Sequence, residues 1–125
     1  MNLVDSCGWL EYFADGPNAG AYARPIEKNE QLLVPTICIY EVFKRVIQQR
    51  GEDPAIYATA RMKQGKVVDL DSSTAMRAAK LSAELKIPMA DSIILATAET
   101  YQATIWTSDS DLKGVEGVRF VDRKF

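Results

Sequence analysis

Histidine is missing altogether from the 125 residues. Ser-His-Asp triads, Cys-His pairs and histidine-ligated zinc are therefore excluded, and any catalysis must run on carboxylates, hydroxyls, amines or a metal they hold. Cysteine is almost missing too. Cys7 and Cys38 are too few and too oddly placed for a disulfide framework. They read as two reduced, small core residues, without the usual base to activate either. No apolar run reaches the ~18 residues of a membrane span, and the N-terminus lacks a charged segment followed by a long apolar one. The expectation is a soluble cytoplasmic protein with no membrane partner. An excess of positive charge is lacking as well: 17 Asp and Glu stand against 15 Lys and Arg, a net charge of −2. That balance makes no electrostatic case for nucleic-acid binding by the whole chain, and it leaves a local patch open.

What is present suits one globular domain over residues 1–125, 47% hydrophobic and 26% charged. A chain of this length buries roughly two-thirds of its unfolded surface. Asn2-Leu3-Val4 reads as a strand ending at Asp5, and Ser6 to Ala14 as a helix with Trp9, Leu10 and Phe13 at core spacing. Asp15 to Asn18 is a break, after which a helix is expected over Ala19 to Asn29, interrupted or restarted at Pro25. Gln31 to Pro35 is the second strand. Thr36 is the expected N-cap of a helix running to about Arg50, with Ile39, Val42, Phe43 and Val46 as its apolar stripe and Gly51 as its stop. Pro54 is expected to open a helix to about Gln64, and Lys66 to Leu70 is a third strand. Asp71 or Ser72 caps a helix to Lys86 in which alanines 75, 78 and 79 allow close packing. Thr104 to Thr107 is a fourth strand, Ser108 to Gly114 a polar loop, and Val118 to Val121 a last short strand. Strands alternating with helices imply an α/β fold with a parallel sheet covered on both faces.

The stretch from Met89 to Ala98 is apolar or small on every face, the pattern of a helix packed on all sides. Pro88 suits its first turn. Asp91 nevertheless lies in that turn, on the same stripe as Ile94, Leu95 and Ala98. A carboxylate directed at packed surface needs a cation or several donors.

Other acids fall where open α/β sheets bind ligands, beyond the carboxyl ends of strands. Asp5 follows strand one, Glu41 lies early in the helix after strand two, and Asp109 and Asp111 follow strand four. Each has an ordinary reading. Asp5 before Ser6 is an N-cap, Glu41 pairs with Lys44 or Arg45 on a solvated face, Asp109 and Asp111 are turn residues, and Asp91 is an acid favoured by the helix dipole. Taken together they repel unless a hard cation lies between them. An all-oxygen set selects Mg²⁺ or Mn²⁺, and the chemistry this favours is metal-assisted phosphoester hydrolysis.

Four pieces resemble a known family, the PIN-domain ribonucleases, and within it the VapC-type toxins of toxin–antitoxin pairs. They are Leu3-Val4-Asp5-Ser6, Ile39-Tyr40-Glu41-Val42, Pro88-Met89-Ala90-Asp91-Ser92 running on to Ala98, and Trp106-Thr107-Ser108-Asp109-Ser110-Asp111-Leu112. The likeness spans nearly the whole chain, and the last two pieces are the specific ones. The resemblance implies a three-layer α/β/α sandwich with a short, mostly parallel sheet, and a Mg²⁺- or Mn²⁺-dependent site that hydrolyses RNA through a metal-activated water to leave a 5′-phosphate. Carried onto this sequence it implies a quartet of Asp5, Glu41, Asp91 and Asp109, with Asp5 and Asp91 as the main metal ligands. The last motif often ends in Asp-Phe in this family and here reads Asp111-Leu112, which leaves Asp111 as the alternative to Asp109. The hydroxyls of Ser6 and Thr107 are candidates to orient waters, and Lys44 and Arg45 to guide the RNA backbone. The resemblance also implies a homodimer and a small antitoxin that enters the cleft. Tyr12 to Ile26, Phe43 and Tyr57 are the expected docking surface, although core packing accounts for most of them. Two alternatives stand beside this reading: a receiver-like phosphoacceptor domain, and a PIN-like module that binds RNA or a partner without cutting.

Overall fold

The computed structural model describes residues 1–124. Five strands form one sheet: β1 (Asn2–Val4), β2 (Leu32–Pro35), β3 (Lys66–Val68), β4 (Thr104–Thr107) and β5 (Val118–Phe120). Their order is β3-β2-β1-β4-β5 and every pairing is parallel, with Leu3 opposite both Leu33 and Ile105. Six helices connect them: α1 (Ser6–Phe13), α2 (Ala19–Ile26), α3 (Thr36–Arg50), α4 (Glu52–Met62), α5 (Ser72–Leu85) and α6 (Met89–Tyr101). The path β1→β2→β3 moves toward one edge, and the chain then crosses back to β4. With right-handed crossovers α1 to α4 cover one face, and α5 with α6 covers the other. The direction reverses between β1 and β4, the position where sheets of this kind open a ligand crevice at the strands' carboxyl ends.

The strands are nearly continuous apolar runs because both faces are covered. Leu3, Val4, Leu32, Leu33, Val34 and Ile105 are buried, with Trp9, Tyr22, Ile26 and Ile94 packed over them. Each such side chain contributes roughly 1.5–3 kcal/mol relative to exposure. From Asp91 to Ala98 every residue of α6 is buried, as its composition implies, whereas Met89 at its start is exposed.

Several boundaries differ from the local reading. α3 is capped by Pro35, with Thr36 as its first residue, because strand-like ψ at Pro35 already turns the chain into the helix. α4 starts at Glu52, and Pro54 sits in its first turn, where the missing N–H would have been unpaired anyway. Pro88 likewise caps α6 from outside its first turn. α2 runs through Pro25 and stops at Ile26, and Asn29–Gln31 forms a separate 3-10 turn, so Gln31 lies outside β2. β3 and β5 end at Val68 and Phe120. Ser110–Leu112 forms another 3-10 turn whose Leu112 is buried, so that loop is not wholly polar. In α5 only Ala78 of the three alanines is buried.

Candidate metal centre

Asp5 closes β1 and caps α1. Its Oδ1 accepts the Ser6 backbone N–H at 2.8 Å, and its Oδ2 accepts the Thr107 hydroxyl at 2.8 Å and, more weakly, the Cys7 thiol at 3.8 Å. Thr107, wholly buried at the end of β4, also receives the Asp109 backbone N–H at 2.9 Å. Its hydroxyl thus ties together the two acids that end neighbouring strands, and it is engaged by protein groups on both sides. Asp109 Oδ1 in turn accepts the Asp111 N–H at 2.9 Å, a short Asx turn. Asp91 reaches the same place from the first turn of α6. Carboxylate oxygens of Asp5, Asp91 and Asp109 lie within 4.8 Å of one another.

The three acids are not equally supported. Among the described residues no N–H or O–H donor reaches Asp91, although it is only 6% exposed. Burial, then the charge and direct contact of Asp109, then Asp5 and Asp111, push its carboxyl up to about 7. Asp5 is also raised, by burial first, with Thr107 and Ser6 opposing the rise. Glu41, half-buried in the second turn of α3, is raised by burial, and the Ser6 side chain beside it opposes this while Asp5 and Asp109 add to it. It therefore faces the cluster without belonging to the tight group of three. Asp111 is exposed, and it serves Asp109 through its backbone. A carboxylate without a protein donor, on a residue only 6% exposed and within 4.8 Å of two others in an all-oxygen set, fits a hard divalent cation.

The solvated ion pair expected at Glu41 does not form. The described residues contain one salt bridge, Arg77 to Glu99 at 3.0 Å, between α5 and the last turns of α6. Lys44 and Arg45 are exposed, with Lys44 Nζ 5.9 Å from the Tyr40 ring. Cys38 is a core residue, as composition suggests, but Cys7 is half-buried against Asp5 and Thr107.

Local reasoning also misses Tyr22. This fully buried side chain passes over α1 to hydrogen-bond Ser108, on the loop that carries Asp109. Gly8 is what lets it pass, since a Cβ there would meet the Tyr22 ring at 2.5 Å. Beside this contact runs an apolar groove of about 1130 Å³ between α1 and the α3–α4 pair, its inner end at Cys7, Tyr22 and Ser108. Of the residues expected to supply a docking surface, Tyr12, Phe13, Tyr22 and Tyr57 line this groove and Phe43 does not.

A family model described as the PIN domain matches residues 3–118. The chain belongs to the PIN-domain family. Solved structures share this PIN fold over nearly their whole length. A toxin–antitoxin complex from Klebsiella pneumoniae matches with a TM-score of 0.80 at 22% identity, covering 95% of this chain and 96% of that one. A sarcin-ricin loop cleaving toxin of Mycobacterium tuberculosis, VapC20, matches with 0.76 at 15% identity and 97% of each chain. DNA-bound VapBC from Salmonella typhimurium matches with 0.73 at 14% identity and 98% of each. At these identities the likeness is one of fold. No curated protein sequence is a significant match. The family assignment sets aside the receiver-like alternative, which also wants adjacent acids after the first strand where this PIN domain has only Asp5.

Proposed function

We propose that this PIN domain is a Mg²⁺- or Mn²⁺-dependent ribonuclease of the cytoplasm and the toxin of a VapBC-type pair. The observation that carries the reading is the convergence of Asp5, Asp91 and Asp109 at the sheet's switch point, with Asp91 left without a protein donor. Asp5, Asp91 and Asp109 would hold a divalent cation, which would supply charge stabilisation for a phosphoryl group and a more acidic water. The chain's own part is to hold three carboxylates at fixed spacing. Thr107 and Ser6 orient Asp5, the Asx turn orients Asp109, and packing of α6 fixes Asp91. Glu41 extends the acidic wall toward α3 and is the fourth member of the proposed quartet.

The partner assignment, a small antitoxin acting on a homodimeric toxin, draws on the fold neighbours and on the apolar groove that ends against Cys7 and Ser108. A segment seated there would touch Cys7, whose thiol bonds Asp5, and Ser108, the chain neighbour of Asp109. The test is cleavage of single-stranded RNA by purified protein with Mn²⁺, compared with Asp91→Asn. The wild type is expected to cut and leave 5′-phosphate ends, and the variant to be inert. Undiminished cleavage by Asp91→Asn overturns the reading.

A further inference from the structure

Away from the acids, Asn2, Arg24, Pro25, Lys28, Trp106 and Arg119 line a cleft of about 470 Å³ between the end of α2 and strands β1, β4 and β5. Its polar lining is unusual in sign. The Trp106 indole N–H donates to Asn2 Oδ1 at 3.0 Å. Because indole nitrogen can only donate, this orients the Asn2 amide with its NH₂ away from Trp106. The Pro25 carbonyl accepts the Lys28 N–H at 3.3 Å. The acceptors supplied by Asn2 and Pro25 are thus engaged, while the side-chain donors of Arg24, Lys28 and Arg119 have no hydrogen-bond or salt-bridge partner among the described residues. Arg119 lies 4.6 Å from the Trp106 ring centroid. Stacking on an aromatic face restrains a guanidinium while leaving its N–H edge open for bidentate contact.

Arg24, Lys28 and Arg119 bring three unpaired positive charges to one cleft, in a chain of net charge −2, and such a local concentration of one sign attracts an anion. We propose that this cleft is a phosphate-binding subsite that grips the backbone of the RNA substrate outside the metal centre. This rests on the ribonuclease reading above. The placement suits it: Trp106 O accepts the Asp5 N–H at 3.0 Å, so the floor of the cleft continues into the strand ends that carry the acids. Asn2 is three residues before Asp5, roughly 10 Å along the strand. The small volume favours a phosphodiester over a protein segment, for which the larger groove, mostly apolar although Arg45, Arg50, Arg61, Arg123 and Lys124 also line it, is the better seat.

The experiment measures binding of a labelled single-stranded RNA to Asp91→Asn protein, in Mg²⁺ and over a salt series, with and without R24Q and R119Q together. Both positions are exposed, and thermal melting checks that the added changes leave the fold intact. The double change is expected to weaken binding about tenfold at low salt. Two lost phosphate contacts on a single strand should reduce the slope of log K against log salt by about 1.4. In the cleaving protein the same pair is expected to raise KM and leave kcat unchanged. Equal affinity and equal slope overturn the subsite. Unaltered RNA binding with lost affinity for polyglutamate also overturns it, by assigning the cleft to an acidic protein segment. If the wild type cuts RNA while the double change has no effect, only the subsite falls. If the wild type neither binds nor cuts RNA, the ribonuclease reading falls and the subsite with it.

Discussion

Asp5 and Asp91 are the same residue type, are buried to nearly the same degree at 4% and 6% exposure, and share one crevice. Their surroundings differ. Asp5 is met by a backbone N–H, a hydroxyl and a thiol, and Asp91 by no donor of the described chain. The fold neutralises part of one charge and leaves the other to something outside the polypeptide. Burying a carboxylate without compensation costs several kcal/mol or forces protonation, so Asp91 is where an external cation has most to offer.

The largest expected effect leaves the two acids alike. Asp5→Ala and Asp91→Asn should each lower Mn²⁺-dependent RNA cleavage by roughly a thousandfold or more, the several kcal/mol that a metal supplies to a phosphoryl transition state. Single-turnover rates on one RNA check this, and a large difference between the two variants would break the equivalence. Next is Thr107→Val, which deletes the bond to Asp5 and the acceptor for Asp109 N–H. Partners that orient metal ligands are typically worth 10–100-fold, read as a higher Mn²⁺ concentration for half-maximal activity.

Stability should separate the pair. In metal-free protein, Asp5→Ala loses a helix cap and the acceptor of the buried Thr107 O–H, a cost of about 1–3 kcal/mol. Asp91→Asn relieves repulsion and should raise Tm by a few degrees, each kcal/mol being worth about 3–6 °C at this size. The pH dependence has a definite sign. The Asp91 carboxyl is raised in the folded state from 3.8 to about 7, so between those values the folded protein binds more protons than the unfolded. Its contribution to stability is therefore greatest in acid and is lost as pH rises through about 7. Asp5 and Glu41, also raised, act in the same direction. Melting curves from pH 5 to 8 without metal should show this decline for the wild type and a shallower one for Asp91→Asn. Saturating Mg²⁺ should remove it. The smallest effect is expected of Asp111→Asn, less than about threefold in activity, because Asp111 serves Asp109 through its backbone N–H.

How much of this could be read from residues in order follows the range of the interactions. The cap at Asp5, the buried course of α6 and the alternation of strands and helices depend on neighbours three or four positions apart, and periodicity exposes them. The acids' placement at the carboxyl ends of the strands follows from the parallel α/β rule. The donors that distinguish Asp5 from Asp91 do not. Thr107 is 102 residues from Asp5, and Ser108 is 86 from Tyr22; such pairs depend on register and leave no local mark. Glu41 shows the limit of local spacing. Its distance along the chain from Lys44 and Arg45 suggests a surface pair, whereas the family resemblance puts it in the quartet. The structure forms no such pair but brings Asp5 and Asp109 to bear on its carboxyl. Prolines misled by a residue or two at α3, α4 and α6, since proline suits both the cap and the first turn.

The most direct test is a crystal of the wild-type protein soaked in Mn²⁺, with the ion located by its anomalous signal. The account predicts one peak between Asp5, Asp91 and Asp109, with oxygens of at least Asp5 and Asp91 at about 2.0–2.2 Å. A peak that Asp91 does not touch, or ions found only on surface acids, would contradict it.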